Sequence, residues 1–259
     1  MKKHKICKIL LVILAIFLCV AFYELLGICV AYKKQPEVSN TTKKETKNGS
    51  WNECSENTER AVIIEKNPEA LLQRVRLIKN AKKEIILSTF AFQSDESGKL
   101  ILGALHDAAD RGVHIRLLVD GMESWIDMEG NPYFYGLSSH ENVEIKLYNK
   151  ANPLKPWKMM GRMHDKYLIA DGKRYILGGR NTYNYFLGDF PGHKNYDRDV
   201  LVVCDEPEKE NSVNQLLEYF ETIWEQEDSG YFHDNKKLAN RKSVKNAVLE
   251  LQNGYQKYF

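Results

Sequence analysis

Net charge is the first thing this sequence has little of. Against 37 lysines and arginines stand 35 aspartates and glutamates, leaving +2 over 259 residues. A dedicated nucleic-acid binder carries a strong basic excess, so nucleic acid is disfavoured as a partner. Cysteine is scarce and unpatterned as well: Cys7, Cys19, Cys29, Cys54 and Cys204 show no CxxC pair and no zinc spacing. Three of them fall in or beside an apolar N-terminal run, where cysteine acts as a small hydrophobe. Cys54 and Cys204 could pair only in an oxidising compartment. No segment repeats. Histidines, cysteines and carboxylates do not gather at ligand spacing, so neither a metal nor another cofactor is expected.

What is present begins at the N-terminus. Residues 1–8, "MKKHKICK", form a basic tail, and Ile9 to Tyr32 form an apolar run broken only by Glu24. About 20 helical residues cross a bilayer, whereas a cleavable signal peptide has a shorter core and a small-residue cleavage site. The long run followed by "AYKK" therefore predicts an uncleaved, single-pass anchor in the cell membrane over residues 9–32. Lys2, Lys3, Lys5 and Lys8 outweigh Lys33 and Lys34 as a cytoplasmic signal, which favours the remaining chain on the extracytoplasmic side. Glu24 is either an intramembrane functional acid or a partner-facing or snorkelling carboxylate. Residues 33–57 are rich in Lys, Thr, Asn, Ser and Glu and predict a flexible polar linker.

From residue 58 to 259 the pattern alternates. "PEALLQRVRLIKNAK", "SGKLILGALHDAADRG" and "EKENSVNQLLEYFETIWEQ" have helical spacing, the second ending on a capping Gly112. "EIILSTFAF", "VHIRLLVD", "VEIKLY" and "DVLVVC" are β-rich runs. Interleaved strands and helices predict an α/β layered domain. The last residues, up to Phe259, predict a mostly polar helix or extension.

One stretch stands apart: "RMHDKYLIADGKRYILGGRN", Arg162 to Asn181. His164 and Lys166 are two apart and share a face if the segment is a strand. Asp171-Gly172 is a turn signal, and "RYILGG" returns as the paired strand. Gly178 and Gly179 permit a close approach of backbone to a ligand and deliver Asn181 beside the His-Lys face. An imidazole, an ammonium and an amide on one spot suit a tetrahedral phosphate. Lysine and asparagine hold its oxygens while histidine attacks phosphorus. Each residue alone has an ordinary structural reading; the combined spacing is far more specific.

That spacing resembles the HKD motif of the phospholipase D superfamily. With "SGKLILGALHDAADRGVHIRLLVDG", "ENVEIKLYNKANP" and "LGGRN", it is similar to the N-terminal half of bacterial cardiolipin synthase-like proteins, from about Glu65 to Glu227. The resemblance implies an α/β/α sandwich half-unit with a mixed sheet. It also implies metal-independent transphosphatidylation through a phosphohistidine. The implied catalytic set is His164 as nucleophile or leaving-group acid, Lys166 and Asn181 on phosphate, and Asp171 as a structural acid that orders the hairpin. Gly179 and Arg180 join Lys166 and Asn181 as candidate substrate-binding positions, Arg180 having a surface salt bridge as its other reading. A nucleophilic histidine needs its second nitrogen oriented; Asp197 is the candidate and Asp199 its competitor.

The sequence departs from the family in having one motif where two normally face one phosphate. A homodimer, a second HKD-bearing chain, or a catalytically incomplete half-domain would each account for this. "LGGRN" resembles the first motif of cardiolipin synthase-like chains, and Asn184 stands where that family usually has acids. The leading expectation is a membrane-anchored phosphatidyltransferase or phosphodiesterase on a phosphatidylglycerol-like phospholipid, its site completed by a second chain. The alternatives are a single-HKD nuclease acting on DNA or RNA and a non-enzymatic half-domain. "NPLKPWKMMGRM" (Asn152 to Met163) is either a lipid-contacting segment or an ordinary basic surface loop.

Overall fold

The computed structural model describes residues 2–33, 38–48, 59–206, 211–233 and 236–258. It divides into two units, Met1–Ser55 with Ala151–Arg162, and Glu56–Lys150 with Met163–Phe259. The loop at 151–162 thus groups with the N-terminal helix, although the sequence places it inside the 58–259 domain.

In the first unit, α1 (Lys2–Lys33) is continuous, and its stretch Lys5–Lys33 is long and apolar enough to cross a membrane. Its side chains from Lys5 to Val20 are exposed. Beyond that Glu24, Gly27, Ile28 and Ala31 form a sheltered stripe, with Gly27 buried. Within the expected linker lies a short polar helix, α2 (Asn40–Asn48), begun by Ser39, whose Oγ accepts from Thr42 N at 3.0 Å. The rest of that linker, Cys54 included, lies outside the described residues.

The second unit holds β1 (Glu59–Ile64), α3 (Asn67–Asn80), β2 (Glu84–Thr89), α4 (Glu96–Asp110), β3 (His114–Asp120), α5 (Gly121–Asp127), α6 (Pro132–Ser138) and β4 (Val143–Tyr148). After them come β5 (Lys166–Ala170), β6 (Arg174–Gly178), β7 (Asp199–Cys204), α7 (Ser212–Trp224), β8 (Ser229–Tyr231) and α8 (Lys242–Tyr258). The strands form one sheet in the order β1-β7-β6-β5-β2-β3-β4-β8. β2, β3 and β4 run parallel and every other pairing is antiparallel, so the sheet is mixed.

Strand alternation assigns the layers. Ile85, Leu87, Ile115, Leu117, Ile145, Leu168 and Ile176 pack with the apolar faces of α3, α4, α6 and α8. Ile86, Leu118, Tyr167, Ile169, Tyr175 and Val202 face the other way, onto Val213, Phe220 and Trp224 of α7. This is the expected α/β/α sandwich with a mixed sheet. Helix α4 starts where Asp95 Oδ1 accepts Gly98 N at 3.0 Å and stops at Gly112, whose φ is +87°. The C-terminal segment is more than a polar extension. Val244, Ala247, Leu251 and Tyr255 recur at helical spacing and are buried, and α8 lies so close to α4 that a Cβ on Gly103 would meet Leu251 O at 2.9 Å.

Candidate functional site

The hairpin β5–β6 lies at the centre of the sheet, flanked by β2 and β7. β5 begins at Lys166, so His164 stands just ahead of the strand and is exposed, while Lys166 is buried at 5%. Lys166 pairs with Thr89 and shares the face of Leu168 and Ala170; Tyr167 and Ile169 turn to α7, as the alternation requires. Asp165 lies between the pair and is engaged elsewhere. Its Oδ2 accepts from Tyr219 Oη at 2.9 Å, and burial together with that bond pushes the Tyr219 hydroxyl up to about 12.

The start of β5 is held from both sides. Asp120, fully buried at the end of β3, accepts Met163 N on Oδ2 at 3.1 Å. Its Oδ1 caps α5 through Met122 N at 3.0 Å. Met163 Sδ also accepts from Ser88 Oγ at 3.4 Å. On the β2 side the chain leaves the sheet after Thr89, where Thr182 N donates to Ala91 O (3.0 Å) and Gln93 N to Thr182 O (3.2 Å). That exit sets Phe90 against the catalytic candidates. Its ring centroid is 4.8 Å from that of His164, and Lys166 Nζ lies 5.3 Å over it. Lys166 Nζ also donates to His164 O at 2.8 Å. Burial lowers the lysine pKa, and the carboxylates of Asp165 and Asp197 pull it back up.

Asn181 is 7% exposed, and its Oδ1 accepts Ala91 N at 3.2 Å, which directs its amide donors away from Ala91. Gly178 and Gly179 admit the chain's own Asp197–Asp199 segment, which explains the glycine pair without a ligand. A Cβ on Gly178 would meet Arg198 O at 2.6 Å, and one on Gly179 would overlap the Asp197 carboxylate.

Three residues that the sequence offers as candidates fall into structural places. Arg180 is corrected as a substrate ligand. It is 1% exposed, donating to Asn67 Oδ1 (3.1 Å), Ile64 O (3.2 Å) and Glu65 O (2.7 Å), and ion-pairing with Asp199 at 3.1 Å. Asp199 takes Arg74 on the same oxygen at 2.9 Å, so two arginines hold it and its Oδ1 is buried without a partner. Asp171 lies at the far end of β5, roughly 17 Å along the strand from Lys166. Its Oδ1 there accepts the backbone N–H groups of Lys82, Lys83 and Glu84 at 3.0, 2.7 and 3.1 Å. Asp197 is half-buried, near Lys166. No hydrogen bond joins the His164 ring to either acid among the described residues. Asn184 stands where acids were expected. It braces the start of α4, accepting from Ser97 N at 2.9 Å.

Sequence reasoning missed Phe90 and Asp120. "EIILSTFAF" reads as an unbroken strand, which hides the exit at Phe90. An acid closing an apolar parallel strand was a usable sign for Asp120, because α/β sheets place sites beyond the carboxyl ends of such strands. Among the described residues no group of three or more histidines, cysteines and carboxylates is placed to hold a metal ion.

The family model described as "Cardiolipin synthase, PLD-like domain" matches residues 74–224, more than half of the chain. The chain belongs to the phospholipase D superfamily. This phospholipase D-like chain is 29% identical to Cardiolipin synthase C of Escherichia coli (strain K12) over 171 residues, 61% of the chain and 34% of that protein. It spans 39% or less of the length of the curated relatives it matches. It is also similar to the solved structure of phosphatidylserine synthase from Haemophilus influenzae Rd KW20. There the TM-score is 0.55 at 18% identity, covering 76% of this chain and 43% of that one. NucT from Helicobacter pylori gives a TM-score of 0.52 at 18% identity, covering 67% and 99%. At such identities the structural likeness is one of fold.

Proposed function

We propose that this phospholipase D-like chain is a membrane-anchored phosphatidyltransferase and phosphodiesterase that works through a phosphohistidine on His164. The observation that carries the reading is one cluster at the site end of β5. An exposed imidazole stands there against Phe90, with the Lys166 ammonium and the Asn181 amide fixed close by. In the first step a ring nitrogen of His164 attacks the phosphorus of a phosphatidylglycerol-like diester. The P–N bond forms as the P–O bond to glycerol breaks, and the glycerol oxygen takes a proton. In the second step the hydroxyl of another phospholipid, or water, attacks phosphorus, forming P–O and breaking P–N, and its proton passes to the group that had protonated the glycerol. Lys166 and Asn181 stabilise the charge on the non-bridging oxygens.

The attacking and leaving groups lie on opposite sides of an in-line phosphorus, so one histidine serves both steps poorly. A second HKD-bearing chain, in the simplest case another copy, supplies the acid across a two-fold axis. The lipid reading draws support from the apolar α1 and from a relative named for cardiolipin synthesis. A nuclease reading has one observation in its favour, Tyr196, 79% exposed beside Asp197 and available to stack on a base.

Lipid product analysis of the purified full chain with phosphatidylglycerol, beside His164→Ala, tests the proposal. Cardiolipin plus glycerol, absent in the variant, is the expected result; phosphatidic acid instead marks hydrolysis by the same intermediate. Inertness on lipid with cleavage of single-stranded DNA or RNA would replace the proposal with the nuclease reading.

A further inference from the structure

We propose that the loop 151–162 is a lipid-contacting segment that inserts into the bilayer interface beside α1. The proposal rests on the anchored reading above and adds a second, non-helical membrane contact.

The sequence of the loop suits that layer. Leu154, Trp157 and Met160 are 79%, 45% and 55% exposed, and Lys155 and Lys158 stand exposed among them. Aromatic side chains partition to the headgroup level, and lysines reach from apolar ground to anionic phosphates.

The loop's place on the helix is independent of that composition. Tyr23 Oη donates to Leu154 O at 3.0 Å. One turn further, Gly27 is buried against the loop, and a Cβ there would overlap the Pro156 ring and reach Trp157 N at 3.1 Å. Tyr23 and Gly27 therefore form a notch on one face of α1 that receives the 3-10 turn Pro156–Lys158. Gly27 lies six residues before Lys33, about 9 Å back along the axis. With a hydrocarbon core of about 20 residues lying within the 9–32 run, the notch falls in the last turns of the span, towards the headgroups on its C-terminal side. A loop seated there meets lipid on the sides that α1 leaves open.

The test uses the full chain reconstituted in phosphatidylcholine–phosphatidylglycerol vesicles, with and without lipids brominated near the top of the acyl chain. The sequence has four tryptophans. Wild-type emission should lose a quenched component that Trp157→Phe lacks. Gly27→Leu, which fills the notch, should shrink the same component. Equal quenching of wild type and Trp157→Phe, with both retained in the membrane after alkaline carbonate, would overturn the loop contact and leave the anchor standing. That result is also the one expected if a protein partner covers the loop instead. Release of the wild-type chain by carbonate would overturn the anchor and the loop contact together.

Discussion

At the scale of single residues, the two acids of "YDRD" have different duties. Asp199 neutralises two buried arginines, so Asp199→Asn leaves uncompensated charge in the interior and should cost about 3–5 kcal/mol. For a domain of this size that lowers the melting temperature by roughly 2–4 °C per kcal/mol, which a thermal melt of the variant would read. Asp197→Asn should melt with the wild type, because its carboxylate is half-buried and takes a hydrogen bond from the adjacent Arg198 N–H. Its signature is in the pH profile. Lys166 must be protonated to hold phosphate and already has a pKa lowered by burial. Activity should therefore fall as pH rises through that lowered value, below the ordinary lysine range. Loss of Asp197 should move this alkaline limb lower still. Stability moves oppositely: between the folded and unfolded pKa values the unfolded chain binds more protons, so the Lys166 contribution to stability rises with pH. Phe90→Ala should leave the fold intact and open one face of His164 to water. The expected outcome is a severalfold larger share of hydrolysis over transfer, read as phosphatidic acid against cardiolipin; an unchanged ratio would remove Phe90 from the site.

At the scale of elements, what the sequence made legible follows from periodicity. β2, β3, β4 and β7 are short β-rich apolar runs, helices α3, α4 and α7 carry a period of 3.6, and His164, Lys166, Asp171 and Asn181 sit at a fixed spacing in and beside one hairpin. β1 was hidden because "ERAVII" is an edge strand with Val62 and Ile63 exposed at 56% and 61%, so no polar face marks its alternation. α8 was half legible: its lysines, asparagines and glutamines dominate the composition, while Val244, Ala247, Leu251 and Tyr255 line a narrow buried stripe. Leu251→Ala should accordingly cost about 2–5 kcal/mol, measured by urea unfolding; a shift under about 0.5 kcal/mol, the range of surface substitutions, would show that α8 is dispensable. Arg180 and Asp199 were illegible for another reason. Burial of a charge depends on partners more than 100 residues away in the chain, Ile64, Glu65, Asn67 and Arg74, and no local pattern encodes that meeting.

At the scale of the whole molecule, the question is how many chains make one working site. Wild-type protein mixed with His164→Ala and allowed to exchange should retain activity as the square of the wild-type fraction if two copies share a phosphate, about a quarter at equal mixing. A self-sufficient chain would retain about half, and that outcome would sink the shared site. The placement of Asp171 bears on chains in which no site works at all. It ties the β5–β6 turn to the start of β2, at the opposite end of the strand from the imidazole. A duplicate gene copy relieved of catalysis would therefore remain under pressure to keep this aspartate for folding while drifting freely at 164, 166 and 181. In a genome survey the third letter of the motif records descent, and only the other positions report a living enzyme.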